Sequence, residues 1–149
     1  MGTKSRLMRL SRLRSARRGS TLIEFALISF LLLMVLFVSI EMDRMLFVYT
    51  NLADAAKAGT RYAIVRGADR TSGASTAADP SPVVNRVKNY ITGIDPANLT
   101  VTVSYPDGNS NALAKHVKVV VQYIYDPWAG FGLIKGVTLS ATSQGIIAF

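Results

Sequence analysis

From Phe25 to Ile40 the chain runs sixteen residues without a charge, and no other feature narrows its possible folds as far. Extended back to Ser20 the stretch reaches twenty-one residues and takes in one carboxylate, Glu24. As a helix rising roughly 1.5 Å per residue it would measure about 30 Å, the hydrocarbon thickness of a bilayer. Residues 20–40 are therefore expected to form a transmembrane helix. The remainder must be judged as a separate, smaller folding problem.

The formal charge of +8 looks like a signal for nucleic acid until it is located. Lys4, Arg6, Arg9, Arg12, Arg14, Arg17 and Arg18 supply seven positives within residues 1–19, with no acid among them. Ten positives then face nine acids, so residues 20–149 carry a net +1. The basic pI belongs to the leader, and a basic binding face on the folded part is not expected. By the positive-inside rule the leader stays in the cytoplasm and the carboxyl-terminal part lies across the membrane. There is no cysteine, which excludes disulfides, thiolate metal sites and a cysteine nucleophile.

Several targeting signals compete for this pattern. A cleaved secretory signal needs a short apolar core ending in small residues, whereas this run is long, rich in leucine and ends at Glu41. A mitochondrial transit peptide shares the Arg- and Ser-rich, acid-free leader but not the span abutting it. A plain uncleaved signal anchor explains everything except Glu24. A carboxylate costs about 2.5–3.5 kcal/mol at the centre of a membrane helix and less near its rim, so it marks a functional position unless it rests at headgroup depth.

Gly19-Ser20-Thr21-Leu22-Ile23-Glu24-Phe25 resembles the class III signal of type IV pilins and pseudopilins, which a prepilin peptidase cuts after the glycine. The longer stretch Arg18 to Leu27 is similar to the TadE-like family, the minor pseudopilins of tight-adherence (Flp) pilus assembly. Ala55 to Gly67 resembles the segment that follows the span in that family. One departure is Ser29-Phe30-Leu31, where the family often has a proline. The resemblance implies that Gly19 precedes the cut, that Ser20 becomes the new amino terminus, and that Glu24 is the glutamate of the processing motif. If so, a carboxylate one helical turn from the new ammonium group, or on a neighbouring subunit, would offset its charge in lipid.

No proline or glycine interrupts the chain between Ser20 and Gly59. Met45, Val48, Leu52, Ala55, Ala56, Gly59, Tyr62 and Ala63 recur at three- and four-residue spacing, so one helix is expected from about Thr21 to Val65, roughly 70 Å long. Its small residues, Ala55, Ala56 and Gly59 among them, permit close approach by the sheet of the same chain or by a neighbouring helix in an assembly. Residues 68–82 read as a flexible loop. Ser81 to Ile91 reads as a short amphipathic helix with Ser81 as its cap and Pro82 in its first turn, stopped by Gly93. Leu99–Tyr105, Val117–Tyr125 and about Val137–Ile147 alternate as strands, the first two separated by the turn Pro106-Asp107-Gly108-Asn109.

The expected fold is thus α+β: a basic leader 1–19, a long helix 20–67, and a pilin-like head over 83–149 with one short helix and a three-stranded antiparallel meander. Such a head buries little by itself and should share its core with the outer half of the long helix.

No catalytic constellation is present. His116 is the only histidine and starts a strand, where it reads as a surface residue; the serines lack a nucleophile elbow; Gly130-Phe131-Gly132 and Asp107-Gly108-Asn109 read as turns. Tyr123, Tyr125, Trp128 and Phe131 cluster between the second and third strands. They form a possible contact patch, or else cover the sheet or rest at the membrane interface.

The reading is of a non-enzymatic, pseudopilin-like subunit of the bacterial inner membrane with no cofactor, no small-molecule substrate and no nucleic acid. Its expected partners are a prepilin peptidase and other pilins, pseudopilins and pilus assembly proteins. The processing residues are Gly19, Ser20 and Glu24; Glu24, Phe25, Ala55, Ala56 and Gly59 are the expected packing residues. Two alternatives stand beside it: a major pilin-like filament subunit, and an uncleaved anchored binding or adhesion protein.

Overall fold

Helix-forming residues dominate the first third of the chain, and in the computed structural model they form a single α-helix, α1, over Thr3–Val65. The structure describes residues 3–68, 75–128 and 135–148, with residues 3–18 as backbone alone. The remaining elements are α2 (Ser81–Tyr90), a 3₁₀ turn (Pro96–Asn98), β1 (Leu99–Ser104), β2 (His116–Tyr125) and β3 (Val137–Ile146). The helix starts well before Thr21. Arg, Leu, Met, Ala and Lys make up most of the leader and all have high helix propensity, so the lone Gly19 does not break the backbone ladder.

The chain divides into two units, residues 1–40 and 41–149. In the first, every large apolar side chain from Leu22 to Ile40 is exposed. The helix from Gly19 onward is long and apolar enough to cross a membrane. This is what a lipid-facing helix requires, because its backbone groups are satisfied internally and its surface needs no protein cover.

The second unit is built on an antiparallel sheet of order β1-β2-β3. Central β2 alternates cleanly, with Val117, Val119, Val121 and Tyr125 buried. Val121 sits between Val101 of β1 and Ala141 of β3, and Val119 between Val103 and Ser143. That face meets Val48, Leu52, Ala55, Ala56 and Ala63 of α1, together with Val83 and Val87 of α2, in one core. The expected core sharing between helix and sheet is therefore present, and the expected meander with it.

Two glycines let α1 lie close. A Cβ on Gly59 would stand 2.5 Å from Val87 Cγ2 and 3.4 Å from Val119 Cγ1. A Cβ on Gly145 would stand 2.5 Å from Ile64 Cδ1 and 3.0 Å from Thr60 Cγ2. Hydrogen bonds then fasten the end of α1: the Ala148 N–H donates to the Ile64 carbonyl at 3.1 Å, and Ser75 N–H to the Arg66 carbonyl at 3.1 Å. Such partners satisfy carbonyls that a helix end leaves open. The buried Tyr105 hydroxyl donates to Ser75 Oγ at 2.8 Å, tying the loop after α1 to the end of β1.

The cap of α2 differs from the expectation. Ser81 is the first helical residue and Pro80 the N-cap, with no side-chain cap bond. Asp79 Oδ1 instead accepts the Ser81 N–H at 3.1 Å. The 3₁₀ turn is likewise beyond the expected elements; Asp95 Oδ1 accepts the Ala97 N–H there at 2.9 Å.

Candidate functional site

Gly19, Ser20 and Glu24 lie on helical backbone, with nothing within 4 Å of the place where a Gly19 Cβ would stand. Ser20 and Glu24 are four residues apart and so neighbours on one helix face. Both are exposed, as is Phe25 at 70%. Among the described residues no hydrogen bond or ion pair holds the Glu24 carboxylate.

Ala55, Ala56 and Gly59 have a different environment. All three are buried, the two alanines completely, against α2 and β2 of their own chain. Their small size serves the close approach of helix and sheet inside the head, which is one of the two uses their spacing suggested. In this fold they offer no surface to a neighbouring helix.

The aromatic residues near the end of β2 do not form one exposed patch. Tyr125 is 2% exposed, its hydroxyl donating to the Glu41 carboxylate. Burial, and then that bond to a carboxylate, push the Tyr125 phenol up to about 12. Tyr123 is half-buried in the sheet, and Phe131 lies outside the described residues. Trp128 alone is open, at 79%. The Arg44 guanidinium lies 4.2 Å from the Trp128 ring centroid and 5.2 Å from that of Tyr125, while Arg44 Nη1 is 3.8 Å from Glu41 Oε1. Cation–π contacts of this kind contribute about 0.5–1 kcal/mol at exposed sites. Glu41 and Arg44 escaped sequence reasoning because each reads as an ordinary solvated charge flanking a span.

Residues 19–61 match the family model described as TadE-like protein. The match starts at the glycine of the short motif and ends within the buried part of α1, taking in Glu24, Glu41, Arg44, Ala55, Ala56 and Gly59. No curated protein and no solved structure matches the chain. Over these residues the chain is similar to TadE-like proteins, and its helix from Gly19 is long and apolar enough to cross a membrane. The helix is consistent with a single-pass anchor.

Outside the matched segment, apart from its α1 wall, an open cleft of about 580 Å³ runs between α1 and α2. Lys57, Arg61, Arg66 and Arg86 line it against a single acid, Asp54. Lys57 pairs with Asp54 at 3.3 Å and Arg66 stacks 4.6 Å from the Tyr62 centroid. Four cations thus gather at one cleft although residues 20–149 carry a net charge of only +1. A sum over the chain carries no information on where helix packing gathers its terms.

His116 and Asp107 also meet. Asp107 Oδ2 accepts the His116 backbone N–H at 2.9 Å and lies 2.7 Å from its Nδ1. These bonds from His116 hold the Asp107 carboxyl below the usual aspartate range. The pair closes the connection between β1 and β2, and no cluster of metal-ligating side chains occurs among the described residues.

Proposed function

We propose that this protein is a TadE-like pseudopilin, a bacterial inner-membrane subunit for assembly of, or secretion through, a tight-adherence (Flp) type IV pilus. The reading rests on one coincidence: the family match begins at Gly19, where a basic leader gives way to an exposed apolar helix carrying Glu24. The amino end stays cytoplasmic and the head extracytoplasmic. A prepilin peptidase cuts after Gly19, releasing the arginine-rich leader and leaving Ser20 as an ammonium terminus.

Glycine in a helix interior costs about 1 kcal/mol relative to alanine, which eases local opening of the backbone at the bond to be cut. Glu24, one turn from Ser20, then faces the new positive charge on its own helix or on a neighbour. A carboxylate in or near lipid is best tolerated when so paired. The protein works by helix packing in the membrane while the head contacts other pilins, pseudopilins and assembly components; it performs no chemistry of its own.

Mass spectrometry of the membrane-extracted chain should find an amino terminus at Ser20 in cells with an active prepilin peptidase. A chain still beginning at Met1 in those cells overturns the reading. A Glu24→Ala chain that is cut normally should nonetheless lower pilus output.

A further inference from the structure

We propose that the Glu41–Arg44–Tyr125–Trp128 cluster is a lipid-contacting foot, which sets Trp128 into the headgroup layer of the bilayer that residues 20–40 cross. The proposal rests on the reading of those residues as a span.

Trp128 is the chain's only tryptophan and the most exposed of its large apolar side chains in the described residues. It is nevertheless held in place. Asp126 Oδ1 accepts the Gly136 N–H at 2.8 Å, closing the base of the β2–β3 connection. Pro127 restricts the backbone just before it. The ring then stacks on Arg44, which is fixed in turn by Tyr125 and Glu41. Among the described residues only the Arg44 guanidinium is stacked on this ring, which is left four-fifths open to water.

Covalent geometry supplies the partner. Glu41 follows directly on Ile40, the last residue of the uncharged run, so Arg44 is only four residues along the chain from the end of that run. The polar layer on each side of a bilayer is itself about 5–8 Å thick, the difference between the full and the hydrocarbon thickness shared between two faces. Trp128, stacked on Arg44, is therefore within reach of the layer where tryptophan and tyrosine concentrate in membrane proteins. Its indole carries an apolar body and one N–H donor, which suits a layer that is part hydrocarbon and part headgroup.

The neighbouring surface has the same character. Met42, Leu46, Phe47 and Tyr49 are exposed on α1, and Met42, Met45, Leu46, Tyr49 and Leu139 line an apolar groove of about 280 Å³. Arg44, part-exposed beside Trp128, adds a cation of the kind that suits a lipid phosphate. Glu41, the acid beside it, accepts the Tyr125 hydroxyl.

Because Trp128 is unique, the full chain reports on this contact without labelling. It is reconstituted in vesicles of phosphatidylethanolamine and phosphatidylglycerol whose acyl chains are brominated either near the headgroup or near the methyl end. Trp128 emission should be blue-shifted relative to tryptophan in water, quenched more by the shallow bromines than by the deep ones, and shielded from aqueous iodide. Arg44→Ala should weaken the shallow quenching while the chain still floats with the vesicles. Emission at the water value with full iodide access, in a chain that floats, overturns the foot and leaves the span intact. Protection from iodide without bromine quenching also overturns it, since the ring would then be covered by protein. A chain that does not float removes the span and the foot together.

Discussion

At the scale of single residues, the pairing of Asp107 with His116 has a definite pH signature. The Asp107 carboxyl is held below its ordinary value, chiefly by the hydrogen bond from the His116 ring and then by that from its backbone N–H. A carboxyl whose folded pKa is depressed contributes stability above its unfolded value of about 4, and that contribution is lost as pH falls through the lower folded value. Thermal unfolding followed from neutral pH downward should therefore show the wild-type head losing an increment below about pH 4 that Asp107→Asn does not lose. Asp107→Asn should also start less stable at neutral pH. Parallel pH profiles for the two proteins would show that the pair contributes nothing. In the sequence Asp107 is legible only as a turn residue and His116 only as a strand opener. Their side chains meet because the backbone between β1 and β2 returns on itself, with Gly108 and Asn109 both at positive φ, and no spacing rule encodes that return.

At the scale of elements, the contact between α1 and the sheet hangs on two positions without side chains. Alanine at Gly59 would gain about 1 kcal/mol of helix propensity. Against this, its Cβ would meet Val87 Cγ2 at 2.5 Å, and Val87 is branched at Cβ and cannot turn aside freely. Overpacking of this kind costs about 1–3 kcal/mol, so Gly59→Ala should lower stability by about 1 kcal/mol net. Gly145→Ala likewise gains about 0.5–1 kcal/mol of backbone entropy in a strand, but its Cβ would meet Ile64 Cδ1 at 2.5 Å and Thr60 Cγ2 at 3.0 Å, so its net loss should also be about 1 kcal/mol. Denaturant unfolding of the two variants checks both, and a Gly59→Ala protein stabilised by the full propensity increment would show that the approach is looser than described. The three- and four-residue spacing along α1 is enough to announce this buried face, from Val48 to Ala63. Gly145 is visible in the sequence only as a blemish in an alternating strand. Its reason lies on Thr60 and Ile64, more than eighty positions away in the chain.

At the scale of the whole molecule, the head is not a module appended to a helix. Val48, Leu52, Ala55, Ala56 and Ala63 belong to the same core as Val83, Val87, Val119 and Val121. A fragment of residues 41–149 should unfold cooperatively, whereas residues 68–149 lack one wall of the core and should not, by circular dichroism and NMR dispersion. Too little apolar surface remains in the shorter piece to offset the entropy of ordering it. A cooperatively folded 68–149 fragment would contradict the shared core.

What the amino-acid order determined alone is what local periodicity and composition govern: the long apolar run of the helix, the basic stretch before it, the buried stripe of its outer half, and the three strands. These follow from neighbours one to four residues apart, and such rules act before the chain folds. Tertiary structure alone decided which lone charges meet. Arg44 lies between Tyr125 and Trp128, Glu41 accepts from Tyr125, and Lys57, Arg61, Arg66 and Arg86 gather around one cleft. Each of the first two pairings joins α1 to a strand or loop some eighty residues later. The energy that creates them is mostly that of packing apolar faces, to which charged side chains contribute little and by which their positions are carried.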